Sequence, residues 1–302
     1  MHAAIATNGL TKFYGKTPGI VDLDLTVHTG EVFGFLGPNG AGKSTTIRVL
    51  LDFLHPSRGQ AAIFGLDSRR DSVAIRRRVG YLPADLALYP QMTARELFRY
   101  FCAVRRVDAE RRIHVLSERF ALDLDCQISG YSSGMRQKAG IIQAFMHEPE
   151  LLILDEPTGG LDPLMQREFN ALIDETRAAG RTVFLSSHVL PEVERLADRV
   201  GIVRHSRLVA LEDVEMLKDK ALRHVELTFP AKVDPLVFRH LPGVRTLEPS
   251  DDGLRLKLQV AGRIEAVLAE AARLSATDLV SEEAELEEIF LAHYGRAPDD
   301  AA

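Results

Sequence analysis

The chain is poor in cysteine: Cys102 and Cys126 are the only two in 302 residues, far apart and in no metal-binding spacing. That excludes a disulfide framework and suits a reducing cytosol. A basic excess is also missing. Lys and Arg number 37 against 43 Asp and Glu, giving a formal net charge of −6. The electrostatic footprint of a nucleic-acid-binding protein is therefore absent, and no nucleic-acid partner is expected. Arg76-Arg77-Arg78 and Arg105-Arg106 are local basic spots, read as a solvated helix face or a contact with a partner subunit. No stretch approaches the ~20 apolar residues that cross a bilayer. The first residues, Met1 to Thr7, lack the basic and apolar regions of a secretory leader. Action at a membrane would need another chain to provide the span. There is no internal repeat and no low-complexity tract. With 46% hydrophobic and 26% charged residues, the composition is that of an ordinary globular protein, long enough for one large and one small domain.

What is present begins with Gly37, Pro38, Asn39, Gly40, Ala41, Gly42, Lys43, Ser44 and Thr45. This run fits the phosphate-binding pattern G-x-x-x-x-G-K-[ST], and it predicts a bound nucleoside triphosphate. The glycines let the backbone turn its N–H groups toward phosphate oxygens, and the following helix adds its positive end. Lys43 supplies a full charge for the β- and γ-phosphates, and the Ser44 hydroxyl can ligate Mg²⁺. Val32–Leu36 reads as a buried strand entering the loop, and Thr45–Leu51 as the helix leaving it.

A second motif, Leu151-Leu-Ile-Leu-Asp-Glu-Pro157, places two carboxylates after four apolar residues. A buried strand would deliver Asp155 and Glu156 at its C-terminal end, where ligands sit in parallel α/β sheets. Asp155 can hold Mg²⁺ directly or through water, and Glu156 lies where it could orient or deprotonate an attacking water. Standing alone, these residues would be an acidic strand end. Tyr131-Ser-Ser-Gly-Met-Arg-Gln-Lys138 opens another helix with small polar residues, a second anion-binding start suited to a nucleotide held by a partner chain. Taken alone, Ser-Ser-Gly is a flexible turn.

The flanking pattern predicts strands at Val21–Val27, Leu151–Leu154 and Thr182–Leu185, with a crossover helix from Pro163 to Ala179. Between about Ala84 and His147 helices dominate, one starting at the capping box Thr93-Ala-Arg-Glu96 and one spanning Ala109–Phe120. Beyond residue 215 the order is strand His224–Phe229, helix Asp234–Leu241, strands Val244–Glu248 and Leu254–Val260, helix Ile264–Leu274 and strand Thr277–Val280. That β-α-β-β-α-β order predicts a small ferredoxin-like module. A closing helix from Glu283 to Tyr294 would place Leu286, Ile289, Phe290 and His293 on one face.

Gly37–Thr45, Tyr131–Lys138, Leu151–Pro157, Gly160-Leu-Asp-Pro163 and Ser186-Ser-His188 together resemble, in order and spacing, the ATP-binding subunits of ABC transporters over roughly residues 3–215. The resemblance implies a P-loop NTPase core, a RecA-like mixed sheet with an antiparallel β subdomain and an α-helical insert. It implies domains at 1–215 and 216–302, the second an α+β accessory module like that of a drug- and antibiotic-export branch, whose ending the Leu286–Gly295 stretch resembles. It makes Ser132, Ser133, Gly134 and Met135 the signature that completes the nucleotide site of a second chain. Asp162 corresponds to the aspartate that links the two sites of a dimer, and His188 to the switch histidine at the γ-phosphate. Tyr14 falls where the family stacks an aromatic on adenine. Read from the residues alone, His188 could as well be structural and Tyr14 a strand-end tyrosine. One departure stands out: the family's glutamine after the strand entering the insert falls at Ala84, which offers no oxygen. Asp85 or water could replace it, or the contact is dispensable.

The implied activity is ATP hydrolysis with ATP and Mg²⁺, coupled to export of drug-like or lipophilic compounds. The implied partners are a separately encoded transmembrane permease and a second ATP-binding subunit, either a copy or a homologue. The implied place is the cytoplasmic face of the cell membrane, reached through the permease. Three rival readings stay open at this point: a non-transport ATPase of the same superfamily acting on ribosomes or DNA, a soluble phosphotransferase, and an ATP-switched ligand sensor. One phosphate loop, a short insert and the acidic balance disfavour the first, and the signature helix would have no purpose in the second.

Overall fold

The structure, a computed structural model, describes residues 2–216 and 222–283. The chain divides between Leu211 and Glu212 into two units.

The first unit contains two sheets. In the antiparallel one, β1 (Ala3–Tyr14) pairs with β2 (Thr17–His28) and with β4 (Arg58–Ile63), and β4 continues to β5 (Leu66–Asp67). Strand β2 buries Leu23, Leu25 and Val27 and exposes Asp22, Asp24 and Thr26, the period-two pattern of a sheet with one covered face. The second sheet has the order β10 (Arg207–Asp213), β9 (Arg199–Arg204), β3 (Val32–Leu36), β8 (Thr182–Ser187), β7 (Leu151–Asp155), β6 (Val79–Leu82). From β9 to β6 the neighbours run parallel. Strands β3, β7 and β8 are buried at every residue, which explains their unbroken apolar reading. Phe33 and Phe35 lie 5.8 and 5.3 Å, centroid to centroid, from Phe184. They share a core with Ile5, Leu23, Leu25 and Ile47, so the two sheets and α1 (Lys43–Leu50) enclose one apolar interior.

Between β6 and β7 lies the helical insert: α3 (Ala94–Arg105), α4 (Glu110–Arg119), a 3₁₀ turn at Ile128–Gly130 and α5 (Ser133–Phe145). Both halves of the Thr93 capping box form, with Glu96 N–H donating to Thr93 Oγ1 (3.2 Å) and Thr93 N–H to Glu96 Oε2 (2.9 Å). Helix α6 (Pro163–Ala178) crosses from β7 to β8, and α7 (Leu190–Leu196) follows β8.

The basic spots depart from expectation. Arg78 forms two 2.7 Å hydrogen bonds with Glu150 and lies 4.1 Å over the Phe64 ring. Arg76 donates to Leu51 O, and Arg105 donates to Arg76 O and Val79 O. Arg76 and Arg105 satisfy carbonyls left open where α1 and α2 (Ser72–Arg78) end, and Arg78 pairs with a carboxylate, so all three are internal ties, not a solvated face. Only Arg77 and Arg106 of the five are exposed.

The second unit carries β11 (Leu222–Thr228), α8 (Leu236–Arg239), β12 (Val244–Pro249), β13 (Arg255–Ala261), α9 (Glu265–Arg273) and β14 (Asp278–Glu283). The sheet order β12-β13-β11-β14, antiparallel throughout, is the ferredoxin-like arrangement. Val225, Leu227, Phe238, Leu256, Leu258 and Val267 form its core. The expected closing helix with Leu286, Ile289, Phe290 and His293 lies outside the described residues.

His147, just after α5, donates from Nε2 to Val79 O at 3.3 Å. Burial, with Arg105 nearby, pushes its pKa down from 6.5 to about 4. The unfolded chain takes up a proton near pH 6.5 that the folded chain refuses until about pH 4. This contribution is therefore complete above pH 6.5 and is lost as pH falls, on the order of 3 kcal/mol in all. His147→Gln keeps a donor for Val79 O without titrating. Urea unfolding at pH 7, 5.5 and 4.5 should show a shallower acid loss in the variant, and equal slopes would refute the assignment.

Candidate active site

Strand β3 runs into the phosphate loop, which the neighbouring strands hold from both sides. Leu36 pairs with Ser187 and with Ile202, and Gly37 N–H donates to Ser187 O at 3.2 Å. A Cβ at position 37 would sit 2.3 Å from Val203 O, so no side chain fits there. Gly42 has φ +108°, and a Cβ there would approach Gly19 O to 2.1 Å. Gly42 caps α1 with no side chain, so the helix's first N–H groups are left for a ligand, at the positive end of the dipole. The Lys43 side chain is only 6% exposed; its ammonium donates to Gly37 O (2.6 Å) and Pro38 O (3.3 Å). Ser44 and Thr45 are half-buried beside it.

Strand β7 brings the carboxylates to the same end of the sheet. Asp155 is buried and pairs in register with Ser186 of β8, whose hydroxyl donates to Asp155 Oδ1. Beside it, burial and then the Asp155 charge push the Tyr81 phenol up to about 12. Glu156 takes a left-handed conformation, φ +51°, at a cost on the order of 1 kcal/mol. Its N–H donates to Ser186 O (3.1 Å), which anchors the turn. Its carboxylate bridges two partners: Oε1 lies 3.2 Å from Lys43 Nζ, and Oε2 accepts from His188 Nδ1 at 2.7 Å. Thus Lys43, Glu156 and His188, from three different strand ends, form one charged chain.

These groups suit hydrolysis of a phosphoanhydride: a phosphate-binding loop, a fixed cation, and a carboxylate whose orientation a histidine controls. Ser44 and Asp155 provide hard oxygen donors. Among the described residues no three His, Cys, Asp or Glu side chains gather into a metal cage. That donor set fits Mg²⁺, which binds through one or two protein oxygens together with phosphate oxygens.

The remaining expected residues fall into two places. Tyr14, 45% exposed at the end of β1, sets its hydroxyl 3.3 Å from Thr45 Oγ1, so an open aromatic face adjoins the phosphate loop. Ser132–Met135 sit elsewhere. Ser132 caps α5 by accepting from Met135 N–H (3.2 Å), Ser133 is exposed, and a Cβ on Gly134 would lie 2.9 Å from Gly160 O. Among the described residues no hydrogen bond or ion pair joins this segment to Gly37–Thr45. Asp162 is exposed and caps α6 by accepting from Met165 N–H (3.0 Å), with Pro163 at the first helical position. Ala84 and Asp85 are exposed in the loop after β6.

Two contributors escape a reading of the sequence. Ser186 looks like part of a polar strand end until the register sets it opposite Asp155. Gln137 is buried in α5 and donates from Nε2 to Pro157 O at 2.7 Å, tying the Ser132–Met135 helix to the residue after Glu156. Its polar character at a core-facing helix position is the one signal that could have marked it.

A family model described as ABC transporter matches residues 20–159. The bacitracin transport ATP-binding protein BcrA of Bacillus licheniformis is 36% identical over 259 residues, 84% of this chain and 84% of its own. The uncharacterized ABC transporter ATP-binding protein YhcH of Bacillus subtilis is 30% identical over 306 residues, 99% of each chain. A solved ATP-binding subunit of an ABC transporter superposes with a TM-score of 0.68 at 32% identity, covering 71% of this chain and 92% of that one. With such relatives matched over most of their length, and with the phosphate loop and carboxylates assembled as described, the chain belongs to the ABC transporter family, as an ATP-binding subunit and an ATPase.

Proposed function

We propose that two nucleotide subunits, this chain with a second copy or a homologue, close head to tail around two molecules of ATP. Closing and opening would drive a separately encoded membrane permease that exports drug-like or lipophilic compounds. The observation that carries this reading is the separation of the two anion-binding helix starts. Lys43, Glu156 and His188 gather at the Gly37–Thr45 loop, while Ser132–Met135 present an exposed helix start with no bond to that loop. A second chain's Ser132–Met135 would complete each site. The exposed Asp162 and Leu164 beside Gly160 then lie at the junction between the chains.

In this reading the loop N–H groups and Lys43 hold the triphosphate, and the Tyr14 ring lies against the adenine. Ser44 and Asp155 would hold Mg²⁺, which would supply positive charge against the phosphates. Glu156 accepts the proton of the attacking water, and His188 fixes the carboxylate and meets the γ-phosphate. Phosphate charge between the chains favours closure, and hydrolysis to two like-charged products favours reopening. Among the described residues no helix is long and apolar enough to cross a membrane. The permease would provide the span, and this chain would sit on its cytoplasmic side. The Bacillus licheniformis relative, a bacitracin transport ATP-binding protein, supports a drug-like cargo. The unit beyond Leu211 is assigned to the transporter as an accessory domain, and the acidic balance supports the absence of a nucleic-acid partner.

Glu156→Gln should reduce turnover by about 10²-fold or more while ATP still binds, and should accumulate a dimer visible by light scattering with ATP and Mg²⁺. Wild-type turnover in that variant would remove Glu156 from the reaction. Lys43→Ala should weaken ATP binding by roughly ten- to hundredfold, the loss of a charge-assisted contact of about 1.5–3 kcal/mol. Unchanged affinity in a fluorescent-nucleotide titration would count against the loop assignment.

A further inference from the structure

Behind the Glu156–His188 pair lies a third carboxylate. Glu192 stands in the first turn of α7, the short helix that begins two residues after His188. Its Oε2 accepts from the Ser187 hydroxyl at 2.6 Å. Ser187 is fully buried at the end of β8 and immediately precedes His188; its Oγ also accepts from Val189 N–H at 3.0 Å. Glu192 therefore grips the residue immediately before the histidine.

The surroundings show why such a tie matters. His188 is 52% exposed, and α7 starts at Val189 without a side-chain cap. Glu156 sits in a strained left-handed turn. Their 2.7 Å hydrogen bond thus joins two backbone segments, each at the last residues of a strand. Glu192 Oε1 is buried with no well-formed hydrogen bond. Burial holds this carboxyl above the ordinary range, against the opposing effect of the Ser187 and Thr158 hydroxyls; the Glu156 charge raises it further and His188 lowers it. A carboxyl buried at such cost, and within electrostatic reach of both reacting-site groups, is placed to act on their geometry.

We propose that Glu192 is a positioning residue for ATP hydrolysis: it fixes Ser187 and so holds His188 in hydrogen-bonding register with Glu156. The inference rests on the reading of Glu156 as the residue that handles the attacking water. Glu192 acts through Ser187 and His188; it sets the angle at which Glu156 meets the attacking water. Small misplacements of such a group are costly, a 1 Å error reaching about 10²-fold in rate.

Steady-state ATPase kinetics on the full chain test this. Glu192→Ala should lower kcat by about 10-fold to 100-fold with KM for ATP within about 2-fold of wild type. Glu192→Gln, whose amide oxygen still accepts from Ser187, should recover kcat to within about 3-fold. In a Glu156→Gln background, Glu192→Ala should cause no further loss, because the two act in one unit. Wild-type kcat in Glu192→Ala overturns the proposal, as does an equal loss in Glu192→Gln. If Glu192→Ala does not fold, Ser187→Ala carries the test by cutting the other end of the latch, and wild-type kcat there overturns it equally. Wild-type turnover in Glu156→Gln would sink the reading of Glu156 itself, whereas loss there with none in Glu192→Ala and Ser187→Ala sinks the latch alone.

Discussion

The parallel, in-register pairing of β7, β8 and β3 is the constraint on which the site depends. Asp155 opposite Ser186 and Ser187 opposite Leu36 bring three strand ends to one edge of the sheet. From there the chain can only leave the sheet, and each exit carries chemistry: the phosphate loop after β3, Glu156 after β7, His188 after β8. Because all three strands are buried throughout, their register is tightly specified. A slip by one residue would drive Asp155 into the apolar layer now filled by Leu154, at a cost of several kcal/mol for an unpaired carboxylate. The core that stabilises the sheet is thereby also what sets the site's geometry.

Electrostatics completes what register begins. A nearly buried ammonium is costly, yet Lys43 is compensated by two loop carbonyls and by Glu156. Glu156 in turn is shared with the exposed His188, so the chain of charge runs from the interior to the surface. Asp155 stands apart from this chain, held by the Ser186 hydroxyl alone among its close polar neighbours of β8. Two adjacent carboxylates thus have different surroundings, one buried and hydrogen-bonded, the other ion-paired and half open. Environments that differ in this way let neighbouring acids take separate roles.

Much of this was legible in the sequence, for identifiable reasons. The loop at Gly37–Thr45 is readable because its glycines answer to steric needs that hold whatever surrounds them. Leu151–Pro157 is readable because burial on both faces forces an unbroken apolar run. The β-α-β-β-α-β order of the second unit followed from strand and helix periods, and the observed strand order agrees with it. Strand β1 was harder to see, since its alternation breaks at Asn8-Gly9, where the register shifts against both partners. Arg76, Arg78 and Arg105 misled, because a one-dimensional run of charge does not reveal that carbonyls and Glu150 await it. The roles of Ser186 and Glu192 were hidden for a related reason, and Gln137 stood out only as a polar residue at a core-facing helix position. Each acts through a neighbour remote in sequence, and only strand pairing or helix docking creates that neighbour.

The position of β3 in its sheet has a consequence for how the molecule is made. Both strands that flank β3 come from residues 182 and beyond, although the loop they hold ends at Thr45. During synthesis the phosphate loop emerges early, yet it lacks the Ser187 carbonyl and the Val203 wall that shape it until some 150 further residues have followed. A ribosome-bound fragment ending inside α6 would carry every residue of the phosphate-binding motif but neither of the strands that flank β3. The nucleotide site is thus among the last parts of its domain to form, and ATP can recognise only a chain whose parallel sheet has closed.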